Sequence, residues 1–97
     1  MAAAAQRTPV NTEAKLLLLS YAFDTLGVWR VALCTDAANA RSRRAIERIG
    51  ATFEGVLRHH RVRYNTDPVE PRDSVMYSVT DTEWGAVRAG LEHRLAH

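Results

Sequence analysis

Leucines 16 to 19, followed by Tyr21, Phe23 and Leu26, do most to constrain how this chain can fold. Placed on a helix at about 100° per residue they cover most of its circumference. Only Glu13, Ser20 and Asp24 line up, as a narrow polar strip. A helix apolar on so many sides belongs between layers rather than on a surface. The residues before it, from Gln6, read as a tight loop containing Pro9, with Asn11 as a good N-cap. Gly27 supplies the stop. Loop, cap and helix start together describe an anion site, because free N–H groups and the positive end of the helix dipole point into the loop. Taken alone they describe first an ordinary core helix with a polar cap, since such caps are far commoner than phosphate sites.

Ninety-seven residues make one small domain, 1–97, with Met1–Ala5 as a disordered start. A chain of this length buries only about 60 to 65% of its extended surface, so its stability is marginal unless something covers it. A net charge of +2 argues against a nucleic-acid or membrane partner. Cys34 is the one cysteine, which excludes an internal disulfide and fits a reducing cytoplasm. The alanine start lacks the apolar core of a signal peptide, and no run is long enough to span a bilayer.

The remainder alternates strands and helices. Val28–Thr35 reads as a strand with Trp29, Val31 and Leu33 on one face and Arg30, Ala32 and Cys34 on the other. A lone strand cysteine is read as a small core residue rather than a nucleophile. Asn39 caps a second helix that runs to Ile49 and ends at Gly50. Ala45, Ile46 and Ile49 form its apolar arc, and Ser42 sits inside that arc. Arg41, Arg44 and Arg48 share a flank, and Arg43 and Glu47 are spaced as an ion pair. Ser42 either hydrogen-bonds the local backbone or serves chemistry. The arginine flank is either a solvated face or a phosphate contact.

Thr52–Tyr64 changes its apolar phase beside Gly55, which signals a bulge or bend. His59 and His60 are neighbours in a strand, point to opposite faces, and are read as exposed polar residues. Asn65–Pro71 is a turn, and Ser74–Val79 is a further strand. Thr80 and Glu83 have the capping-box spacing, and Trp84, Val87, Leu91 and Leu95 give the stripe of a closing helix.

Three of these features together resemble the GNAT acetyltransferases of the RimJ/RimL type. They are the stretch Gln6–Phe23, the run Asn39–Ser42 followed by Gly50 and Ala51, and the strand pair leading into Asp81–Trp84. The resemblance implies an α+β fold, helix–strand–helix–strand–strand–helix with a mostly antiparallel mixed sheet, corresponding to the second half of the family domain. It implies acetyl-CoA as cosubstrate, no metal, and transfer of acetyl to a primary amine, either a protein N-terminus or a small amine. The general base of such enzymes often comes from the other half of the domain, and here only His59 and His60 offer themselves. The resemblance also implies an open edge at Val28–Thr35 and a partly bare Leu16–Phe23, hence a homodimer or larger homo-oligomer.

Residue by residue, Gln6 matches the start of the family's pyrophosphate loop, while Pro9 and Asn11 stand at its glycine positions. Proline has no N–H to donate, so the remaining donors are Arg7, Thr8, Val10, Asn11 and Thr12. Asn39 matches the asparagine that bonds the pantetheine arm, and Arg44 is a contact for the cofactor's phosphates. Many relatives carry a tyrosine acid where Ile46 stands, which leaves Ser42 to return a proton to the departing thiolate. Two other classes remain open: a non-catalytic, self-associating interaction module, and an arginine-rich nucleic-acid module built on Arg41, Arg44, Arg48 and Arg58–Arg63. The latter lacks an aromatic stacking platform.

Overall fold

The computed structural model describes residues 9–96, with side chains from Thr12 to Ala96. Helix α1 spans Pro9–Ser20 and continues into a π-helical turn, Tyr21–Thr25. Strand β1 (Arg30–Asp36), helix α2 (Ala40–Arg48), strands β2 (Thr52–Arg63) and β3 (Glu70–Thr80), and helix α3 (Asp81–Ala96) follow. The sheet order is β1-β3-β2, so the last strand in sequence is the central one. β2 runs antiparallel to β3. β1 is antiparallel to it as well: Asp81 N–H bonds Trp29 O at one end, and Ala37 N–H bonds Asp73 O at the other. The fold is the α+β arrangement expected. The chain divides into two compact units, Met1–Val31 with Val79–His97, and Ala32–Ser78.

In the first unit α1 packs on α3. Leu19 and Phe23 are buried from one side, and Trp84, Val87 and Leu91 from the other. Phe23 stacks on Trp84 with centroids 5.3 Å apart, and Trp84 Nε1 donates to Asp24 Oδ1 at 3.0 Å. Two consecutive residues thus reach one indole from the π-helical turn, where Leu26 N–H bonds Tyr21 O. Gly27 then takes φ +68°, as its stop position requires, and Val28 N–H returns to Ala22 O. Half of the expected capping box forms: Glu83 Oε1 accepts from Thr80 N–H at 2.9 Å, while the Thr80 hydroxyl pairs with Thr82 Oγ1 at 3.0 Å.

Burial corrects the sequence reading in two places here. α1 is not enclosed on most sides, because Leu17 is 62% and Leu18 57% exposed, with Tyr21 and Leu26 also open. One packing partner covers one stripe, whatever the composition of the remaining surface. Trp29 lies ahead of β1 and is exposed, so the inward side of that strand is carried by Val31, Leu33 and Thr35.

In the second unit β3 supplies both faces of the core: Val75 and Tyr77 on one, Ser74 and Ser78 on the other, all fully or almost fully buried. Tyr77 donates its hydroxyl to Glu47 Oε2 of α2 at 2.7 Å, and Phe53 of β2 meets its ring edge-on. Ser78 Oγ donates to Glu54 Oε2 at 2.9 Å. The expected Arg43–Glu47 pair does not form: Arg43 Nη1 donates to Ala37 O at 3.3 Å, and Glu47 is taken up by Tyr77. Cys34, expected in the core, is exposed, since its strand buries the alternate residues.

Candidate active site

The first group of predicted residues lies at the start of α1. The helix begins at Pro9, two residues before Asn11, so Asn11 belongs to the first turn and is not its cap. Proline favours this outcome, since its fixed φ suits the first helical position and the N–H it lacks would have no intrahelical acceptor. The first four N–H groups of any α-helix have no such acceptor. With Pro9 contributing none, Val10, Asn11 and Thr12 hold that role here, at the positive end of the dipole. Three of the predicted donors are therefore brought together in one turn. Thr12 is buried. Gln6, Arg7, Thr8 and the Met1–Ala5 start lie outside the described residues.

The second group surrounds the start of α2. Asn39 caps it as expected, with Oδ1 accepting from Ser42 N–H at 3.0 Å. That bond leaves the Asn39 amide nitrogen, with its two donors, available to another acceptor. Ser42 is half-buried in the first turn, and Arg44 is exposed. Ile46 and Ala45 are half-buried.

The turn ahead of α2 is held by a feature the sequence did not reveal. Asp36 accepts from Arg63 at both oxygens, 2.8 Å from Nε and 3.0 Å from Nη2, and from Ala38 N–H at 2.9 Å. The Arg63 hydrogen bond, followed by that of Ala38, holds the Asp36 carboxyl well below the usual carboxylate range. The same contact raises the Arg63 guanidinium. Arg63 also lies 3.6 Å from Glu70, which removes one member of the Arg58–Arg63 run from a nucleic-acid role. The partners are 27 residues apart, and no local spacing signals such a pair.

The third group is the histidine pair. β2 shows register shifts between Phe53 and Gly55 and again between Leu57 and Arg61. The first is the bulge expected at Gly55, whose φ of +151° suits glycine. The second sets Arg58, His59 and His60 opposite Asp73 alone. His59 takes φ +50°, and its N–H donates to Asp73 Oδ1 at 2.9 Å. His60 Nδ1 lies 3.0 Å from Oγ of fully buried Ser74. Both histidines are exposed, as expected, and with Val56, Leu57 and Arg58 they line an open groove of about 710 Å³. Among the described residues no three histidine, cysteine or carboxylate side chains cluster as metal ligands. No described helix is long and apolar enough to cross a membrane.

With the geometry in place, the comparisons agree on the family. Residues 1–52 match the family model for the acetyltransferase (GNAT) domain. An acetyltransferase-class protein from T. thermophilus superposes with a TM-score of 0.83 at 48% identity, over 91% of this chain and 45% of its own. A GCN5-related N-acetyltransferase from Brucella melitensis gives 0.83 at 39% identity, over 92% and 38%. Mycobacterium smegmatis RimJ, in complex with CoA-disulfide, gives 0.65 at 21% identity over 91% and 39%, a likeness of fold alone. Curated proteins give no match. This chain belongs to the GNAT acetyltransferase family, and it spans less than half the length of these solved relatives.

Proposed function

We propose that the chain serves an acetyl-CoA-dependent N-acetyltransferase of the RimJ/RimL type, as part of a single acetyltransferase domain. The acceptor would be a primary amine, a protein N-terminus or a small amine. The observation that carries this reading is the start of α1 at Pro9, which sets the N–H groups of Val10, Asn11 and Thr12 at a helix N-terminus within the segment matched by the family. Gln6, Arg7 and Thr8 would complete the pyrophosphate grip, the Asn39 amide would bond the pantetheine arm, and Arg44 would meet the phosphates. Bound acetyl-CoA supplies the activated acetyl group; the chain's own residues hold it and manage protons. The donor set fits an anionic, amide-bearing cosubstrate, being made of N–H groups and a guanidinium.

Titration with CoA followed by NMR tests this. Signals of Val10–Thr12 and Asn39 should move, and Asn39→Ser should weaken binding by roughly 1 kcal/mol. Serine keeps the helix cap and removes only the amide, so a loss of affinity without a loss of stability isolates the proposed contact. Silence at millimolar CoA would sink the cofactor reading.

Ser42 would return the proton to the departing thiolate. Ser42→Ala should lower turnover by about ten- to a hundredfold or more, toward the range of a lost acid–base group, with CoA affinity unchanged. An unchanged rate in the folded variant would leave Ser42 a helix residue only. We also propose self-association through β1, an edge strand of the described sheet. A monodisperse monomer at micromolar concentration in light scattering would refute that.

A further inference from the structure

We propose that His60 is the base that takes the proton from the acceptor amine, with Ser74 as the residue that positions it and the groove along Val56–His60 as the acceptor site. This rests on the acetyltransferase reading above.

Four observations converge on one stretch of β2. Its register is interrupted so that three residues stand opposite one, which re-aims side chains that a regular strand would send to alternate faces. The interruption is held in place: His59, at φ +50°, donates its N–H to Asp73 Oδ1, and Asp73 O accepts from Ala37 N–H. His60 Nδ1 lies 3.0 Å from Ser74 Oγ, and Ser74 is fully buried, so the ring is oriented from inside the protein while the residue itself remains exposed. The groove beside it combines the apolar side chains of Val56 and Leu57 with the cation of Arg58. A neighbouring cation disfavours the ammonium form of an amine, and the neutral form is the one that attacks a thioester.

The assignment requires one tautomer. Nδ1–H donates to Ser74 Oγ, and Nε2 keeps its lone pair for the substrate. In the transfer the amine nitrogen bonds the acetyl carbonyl carbon and the C–S bond breaks. The proton lost by nitrogen goes to Nε2 and then to solvent, while the sulfur takes up one proton. No oxidant, reductant or further reactant enters. Protonation of Nε2 leaves the Nδ1–H bond to Ser74 in place, so the ring need not turn during the reaction.

The tautomer is read directly from the long-range ¹⁵N–¹H spectrum of the whole chain with a neutral ring. We expect a protonated Nδ1 and a bare Nε2 at His60; the reverse overturns the proposal. Ser74→Ala should shift that balance toward Nε2–H, an effect that loss of stability alone would not produce. Titration with the dipeptide Ala-Ala should move the signals of Val56–His60, whereas its N-acetyl form should not. Equal response to the two dipeptides, or none to either, also overturns it. His60→Gln should lose the response while keeping a folded spectrum, and in an acetyl-transfer assay kcat should fall about a hundredfold or more with KM much less changed. An unchanged kcat in the folded variant counts against His60. CoA is titrated separately, so failure of the cofactor reading and failure of the acceptor site register on different signals.

Discussion

β3 and β2 are hydrogen-bonded neighbours with similar apolar content, yet they have opposite fates. β3 carries Val75, Tyr77 and Val79, each with 0% exposure, and its alternate face buries Ser74 and Ser78. β2 carries Phe53, Val56, Leu57 and Val62, all exposed by 42% or more. The difference is position in the sheet. A central strand is covered on both edges and here on both faces, so a slip of one residue would expel every core side chain. An edge strand has one ladder to satisfy, and β2 accommodates two register shifts in twelve residues. The irregular strand is also the one that presents the histidines and the groove. Burial in β3 and distortion in β2 are complementary, because Asp73 and Ser74 of β3 hydrogen-bond the distorted residues.

The largest test of this contrast is truncation of the two facing rings. Tyr77→Ala should cost about 3–5 kcal/mol in chemical denaturation, the range for a buried aromatic. Phe53→Ala, with half of its ring in solvent, should cost much less. Equal losses would break the contrast between the strands. A smaller effect is expected at the strained backbone of β2. His59→Val forces a branched residue into the left-handed region and should destabilise by about 1–2 kcal/mol. His59→Gly relieves that strain and should be neutral or stabilising, as read from the melting temperature. Destabilisation by glycine as large as that by valine would show that the His59 side chain, rather than its backbone, matters to the fold.

The smallest effect is confined to acid. Asp36 binds a proton less readily in the folded chain than in the unfolded one, because Arg63 and Ala38 N–H hold its charged form. Its contribution to stability is therefore complete at neutral pH. It begins to fall away below about pH 4, where the unfolded chain takes up the proton first, and is lost as pH drops through the lowered folded value. Asp36→Asn should flatten that acid limb of the stability–pH curve. An unaltered limb would mean that the turn ahead of α2 does not depend on this pair.

The sequence alone determined the elements and their punctuation. Asn39 as cap, Gly27 and Gly50 as stops, the Thr80–Glu83 bond, the Gly55 bulge and the Trp84–Val87–Leu91 stripe were legible because each is set by residues within a turn or two. The family was legible for the same reason, through short motifs at fixed spacing. Only the tertiary structure decided which apolar residues are covered: Leu19 and Phe23 are buried on the side of α1 that meets α3, while Leu17 and Leu18 stay more than half exposed. Only the tertiary structure could seat Asp36 on Arg63, Glu47 on Tyr77 and His60 on Ser74, pairs that lie 27, 30 and 14 residues apart. The start of α1 fell between the two, since Pro9 and Asn11 both suit a helix N-terminus and local chemistry did not rank them. Burial and long-range hydrogen bonding depend on what the folded chain places across from a residue, and no local pattern encodes that.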